Sequence, residues 1–162
     1  MKEEMIKCFG QLTIEKLDGI TGITETTVVP NMIVTLGKQY IAGRLLQTPQ
    51  AAMTCMGIGT GATAATLADT GLQAEVLASA YANGVSRPTL TSPDNPSQVG
   101  AVLTYKCTFG TAAATSSNAM TEAAIYDNVT RGAGIMMART VFGTVTKTNL
   151  DTVSITWSIT IS

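Results

Sequence analysis

"DTVSITWSITIS", residues 151–162, decides how the rest of the chain is read. Val153, Ile155, Trp157, Ile159 and Ile161 alternate with Thr152, Ser154, Thr156, Ser158 and Thr160, with β-branched residues on both faces. Successive side chains of a strand point to opposite faces, so a period of two predicts a long antiparallel strand with one face on a core. The segment is regular and free of proline, which puts it in the interior of a sheet, with Trp157 in the core.

The same alternation recurs upstream. "VLTYKCTFG" sets Leu103, Tyr105, Cys107 and Phe109 on one face, and "GIMMARTVFGTVT" is strand-like with Gly143 at a predicted bulge. "FGQLTIEKL", "ITETTVVPNMIVT", "AAMTCMGIG", "AEVLASAYA" and "EAAIYD" add further runs, separated by turn material such as "LDGITG", "PDNPSQ" and "NVTRGAG". Pro30 makes its strand an edge or breaks it. One helix is predicted over 35–47, with Thr35 as N-cap, Tyr40, Ile41 and Leu45 on one face, and Pro49 beyond its end. The expected fold is all-β, an antiparallel β-sandwich of the jelly-roll kind with about eight strands. Residues 9–162 form its single domain, behind an N-terminal arm at 1–8.

"MGIGTGATAATLADTGLQAEV", residues 56–76, spells G-x-G-x-x-A at Gly57, Gly59 and Ala62, a form of the dinucleotide fingerprint. That motif needs a parallel strand before it and a helix opening at the glycines. Neither is present: the segment before is short, "TAATLADTG" has no helical apolar stripe, and Glu75 alone near the ribose spacing adds little. The glycines are read as ending a strand and opening a threonine- and alanine-rich loop, and no cofactor is expected.

The inventory for catalysis is thin. There is no histidine, which removes the commonest general base and metal ligand. The acidic residues, Asp69, Glu75, Glu122 and Asp151 among them, are scattered and read as a solvated rim, so no catalytic or metal-binding residue is predicted. A carboxylate-only glycosidase is the remaining enzyme class, and it would need two carboxyls in one cleft. Asp94 and Asn95 read as a turn rather than a calcium loop. Cys8, Cys55 and Cys107 have no C-x-x-C spacing, so neither zinc nor a disulfide framework is indicated, and Cys107 is a core residue.

Charge and hydropathy bear on partners. Ten basic and eleven acidic residues, unclustered, give no electrostatic footprint for nucleic acid or a membrane surface. No run is long enough to span a bilayer and the first residues lack a signal peptide's apolar core, so a soluble, unexported chain is expected. Charged residues are only 13% of the chain, against about 25% in ordinary domains, which suggests an exterior covered by other chains. A homo-oligomer follows, with a trimer favoured over a dimer. Arg44, Arg87, Arg131 and Arg139 are read as structural or subunit-contact residues. At the N-terminus, Met1, Met5 and Ile6 could bury against a neighbour while Lys2, Glu3, Glu4 and Lys7 stay at a polar rim. The predicted interface residues are therefore Met1, Met5, Ile6, Arg44 and Arg139.

Six blocks in order, "NMIVTLGKQYIAGRL", "MGIGTGATAATLADTGLQAEV", "LTYKCTFG", "TEAAIYDN", "MMARTVF" and "VSITWSITIS", resemble a family of small virion structural proteins of tailed bacteriophages. The shared positions include Asp69, Thr70, Leu72 and Glu75, then Thr121, Glu122, Ala123, Ile125 and Tyr126, and lastly Arg139, Thr140, Val141 and Phe142. The resemblance implies a non-enzymatic β-sandwich particle component. Compact size and the absence of a repetitive shaft suit a capsid decoration or cement protein bound to the major capsid protein lattice on the outside of the head. The alternative is a tail-fibre or baseplate adaptor, with a carbohydrate-binding loop as one version.

Overall fold

The computed structural model describes residues 7–46, 50–77, 80–81, 86–91, 93–111, 113 and 119–162. In chain order the elements are β1 (Cys8–Leu17), β2 (Thr24–Ile33), α1 (Thr35–Gly43), β3 (Cys55–Gly59), β4 (Ser97–Val99), β5 (Val102–Phe109), β6 (Ala119–Tyr126), β7 (Met136–Thr146) and β8 (Thr152–Ile161). Every strand pairing is antiparallel, and the strands hydrogen bond in the order β3-β6-β7-β2-β1-β8-β5-β4. The all-β fold with one short helix is thus as expected. Its finer form is a single curled sheet: β2 pairs with β1 along most of its length and with β7 through Met32 and Ile33, where a jelly roll would hold two unjoined sheets.

β8 lies between β1 and β5, with Trp157 opposite both Leu12 and Tyr105, and Ile155 opposite Ile14 and Cys107. Val153, Ile155, Trp157 and Ile159 are fully buried, as the alternation predicts. One core collects these with Leu12, Ile14 and Phe109 from one half of the sheet and Met56, Ile58, Met120, Ile125, Met137 and Phe142 from the other. Curling is what lets both halves bury their inner faces together.

Gly143 does sit in a bulge. Met120 opposes Val145 while Glu122 opposes Val141, so β7 carries extra residues between those two positions. Pro30 also behaves as expected, because among the described residues β7 pairs with β2 only at Met32 and Ile33, which leaves β2 up to Pro30 an edge on the side away from β1.

Other expectations are corrected. The helix cap is Val34, whose side chain has no acceptor for a cap bond, and Thr35 is the first helical residue, its N–H donating to the Leu67 carbonyl at 2.9 Å. α1 stops at Gly43, and Leu45 is 83% exposed rather than on the buried face with Tyr40. "AEVLASAYA" is not a strand where it is described, apart from an isolated bridge from Glu75 to Gly59, and Ser97 and Gln98, read as turn, belong to a strand that pairs with β5. Lys7 and Cys8 do not belong to an arm: Lys7 exchanges backbone hydrogen bonds with Ser162 and Cys8 opposes Ile161. Met1, Met5 and Ile6 lie outside the described residues.

Candidate functional site

β6 is buried on both faces, which breaks the alternation expected of a half-exposed strand. Its inner face meets the main core. Its other face, with Ala124 and Tyr126, joins Val34, Cys55 and Met136 in a second small cluster against which Leu36, Leu72 and Val129 pack. The long loop after β3 covers that face, and two buried arginines hold it there.

The first is Arg139 on β7, fully buried beside Glu122 on β6. Arg139 donates from Nε to Glu122 Oε2 at 2.9 Å, from Nη1 to Asp69 Oδ2 at 2.7 Å, and from Nη2 to the Thr63 carbonyl at 3.0 Å. Glu122 also accepts backbone N–H groups from Gly61 (3.1 Å), Gln73 (3.1 Å) and Ala74 (2.7 Å). Burial pushes the Asp69 carboxyl up, but hydrogen bonds from Thr66 and the Arg139 guanidinium outweigh it and hold the pKa below its usual value. The whole cluster fastens the loop at residues 61, 63, 69, 73 and 74 to the centre of the sheet.

The second is Arg87, which grips Glu75 through two parallel hydrogen bonds of 2.7 and 2.9 Å, the strong bidentate geometry of guanidinium and carboxylate. Its Nη1 donates to the Asn128 and Ala133 carbonyls, and its guanidinium lies 3.5 Å over the Tyr126 ring. Burial opposes the Arg87 charge, yet the bonds to Glu75 outweigh it and raise the pKa. Burial pushes the Tyr126 phenol up to about 12, and its oxygen accepts the Leu72 N–H at 2.9 Å. Tyr81 Oη accepts from the Ile58 N–H and donates to Glu75, both at 3.2 Å.

These contacts explain the glycines that imitate a nucleotide motif. A Cβ on Gly59 would overlap Glu122 Oε1 and the Ala74 carbonyl, and one on Gly57 would press on Leu72, Tyr126 and Arg87 at 3.0 to 3.3 Å. Both lie within β3, paired antiparallel with β6, and make room for the buried ion pairs. The cavity beside Arg87 and Tyr126 holds about 80 Å³, space for a few waters.

Several residues singled out earlier take different places. Glu122 and Asp151 are buried and Glu75 nearly so, which overturns the solvated rim for them. Arg139 has no surface to offer a neighbour, so its assignment as an interface residue is corrected. Arg44 is exposed after α1 and donates to the Gln50 carbonyl. Arg131 donates to the Glu75 carbonyl at 3.0 Å. Asp94 sits in a turn and faces Lys106 at 3.9 Å. Cys107 is buried in the core and burial pushes its thiol up. The missed signal was positional: Glu122 in "AMTEAAIY" and Arg139 in "MMARTVF" are lone opposite charges inside apolar runs.

Among the described residues, no group of His, Cys, Asp or Glu is placed to hold a metal ion, and no helix is long and apolar enough to cross a membrane. Both buried arginines have their donors committed within the chain, so the clusters act as structural clamps. The class defined by this geometry is an all-β protein whose charged interior anchors a long loop. No protein-family model, curated protein or solved structure matches the chain.

Proposed function

We propose that the protein is a non-enzymatic virion structural protein, a decoration or cement protein that binds the outer surface of a tailed bacteriophage head and stabilises its lattice. The reading starts from the six-block resemblance. The structural observation that carries it is an exchange of charge and apolar surface between inside and outside. Arg87, Glu122, Arg139, Lys147 and Asp151 are buried in a chain with only ten basic and eleven acidic residues. Meanwhile Ile20, Ile23, Leu45, Leu46, Leu77 and Val99 are each at least 62% exposed.

An exterior this poor in charge and rich in large apolar side chains suits a subunit that is covered in its working state. The rigidly held loop and the exposed ends then serve as contact surfaces. Cryo-electron microscopy and copy counting on purified virions test the reading: hundreds of copies over the head are expected. A handful at the tail tip would replace it with the adaptor role, and absence from the particle would end the virion reading.

A further inference from the structure

The sheet is open at its two ends, β3 and β4, and where β2 and β7 part beyond Met32 and Arg139, with Glu25 and Thr27 facing Thr144 to Thr146 across a cleft; these borders are finished differently. β3 is covered by the chain's own backbone: Met56 N–H donates to the Pro88 carbonyl, Val76 N–H to Ile58, and Thr60 N–H to Ala74. β4 is an edge of three residues. The first part of β2 is neither covered nor short. Residues Thr24 to Val28 are all exposed, and no described segment pairs with them on the side away from β1.

The direction of each backbone group along β2 follows from two bonds. Asp18 N–H donates to the Ile23 carbonyl, so the odd-numbered residues of β2 bond towards β1. Val34 N–H donates to the Met137 carbonyl, so the even-numbered residues face the other way. Thr24, Thr26 and Val28 therefore turn their N–H and C=O groups to the open side. Pro30 follows in the same phase without an N–H, and its carbonyl accepts from Thr140 Oγ1 at 2.7 Å, which closes the open stretch.

We propose that this edge pairs with the same edge of a second copy, antiparallel, about a two-fold axis through Thr26. Symmetry and side chains select that register. Centring on Glu25 would set two carboxylates face to face, and centring on Thr27 would set Thr24 against the donorless Pro30. Centring on Thr26 sets Thr24 opposite Val28 of the second copy and uses all the open groups, giving about six backbone hydrogen bonds. It also brings Ile23, 62% exposed, opposite the half-buried Val29, and Glu25 opposite Thr27. The apolar pair and the relief of the carboxylate make the edge complementary to itself, which is the condition for an isologous contact. A two-fold contact makes a dimer, in place of the trimer favoured by composition, and it stands whether or not the protein is a virion component.

Sedimentation of the full chain at about 100 μM should give twice the monomer mass of 16.8 kDa. Thr26→Pro, which removes an outward N–H in the manner of Pro30, should give the monomer with an unchanged far-UV spectrum. In a Cys8→Ser background, Thr26→Cys should cross-link to its copy under mild oxidation, because Cα atoms about 5.5 Å apart suit a disulfide. Thr24→Cys should not, since the register holds its copies some four residues apart. A monomeric or trimeric wild type, a dimeric Thr26→Pro, or equal cross-linking at both positions would overturn the proposal. If Thr26→Pro does not fold, the cross-linking pair decides alone.

Discussion

Replacing Glu122 by glutamine keeps the shape of the side chain and removes its charge, and the structure says what that removal costs. The carboxylate accepts from Arg139 and from the Gly61, Gln73 and Ala74 N–H groups, and both it and Arg139 are fully buried. A glutamine has one acceptor oxygen, so its NH2 group must face donors on one side. Removing one partner of a buried ion pair typically costs about 3 to 5 kcal/mol. Asp69 still pairs with Arg139 at 2.7 Å with its side chain 13% exposed, which puts the expected loss near the lower limit, about 3 kcal/mol. At this chain length that is a fall in Tm of roughly 6 to 12 °C. Urea melts at neutral pH measure the loss, and hydrogen exchange should show it first at the amides of Gly61, Gln73 and Ala74. Glu122→Leu with Arg139→Met should recover part of the stability, because no charge is left unpaired, but not the slow exchange of those three amides. A loss below about 1 kcal/mol for Glu122→Gln, with exchange at the three amides unchanged, would refute the clamp.

Ile155→Asp puts an unpaired charge between Ile14 and Cys107 at a fully buried position and should abolish folding. A soluble variant that melts cooperatively would show that the β8 core face is misassigned. Gly37→Ala should destabilise, since its Cβ would overlap the Met137 carbonyl where α1 lies on β7. The same change on a free helix face would stabilise by about 1 kcal/mol, so the sign of a denaturant-midpoint shift decides. Asp151 accepts the Thr148 and Gly19 N–H groups at 2.8 and 3.1 Å, with Lys16 nearby, and its pKa is lowered to about 2 from 3.8. A depressed carboxyl stabilises the fold above its unfolded value and loses that contribution as the pH falls from about 4 to about 2. Asp151→Asn should flatten that part of the acid limb, and an acid limb identical to wild type would remove Asp151 as its source.

Legibility in the sequence tracked how far each element's surroundings are local. β8 and β5 were readable because each has one buried and one more open face, so the period of two survives in Val153 to Ile159 and in Cys107 and Phe109. The bulge at Gly143 and the open edge before Pro30 were readable from backbone chemistry alone. β6 was read as a strand through "EAAIYD", but not its burial on both faces, because the second face is covered by a loop some fifty residues away in sequence. Glu122 looked like a solvated carboxylate for the same reason. Its guanidinium partner lies on the neighbouring strand and its amide donors on that distant loop, and no periodicity links them. The helix cap failed because the helix begins one residue earlier: the Lys38 N–H that a Thr35 cap would bond closes on the Val34 carbonyl at 3.0 Å, and Thr35 is the first helical residue.

The glycines of "MGIGTG" connect these observations. A strand that must sit beside a buried carboxylate and a buried guanidinium cannot carry side chains at Gly57 and Gly59 without displacing Glu122, Ala74 or Tyr126. Small residues on β3 are thus a consequence of the ion pairs on its neighbours, and the resemblance to a nucleotide loop follows from that packing. The same loop that these charges hold down also covers the outer edge of β3 through Thr60 and Val76. One long border of the sheet is therefore sealed by the chain's own backbone, anchored by charge drawn from the surface. Among the described residues the border at Thr24–Val28 has no such loop, which is why the proposed pairing with a second copy falls there.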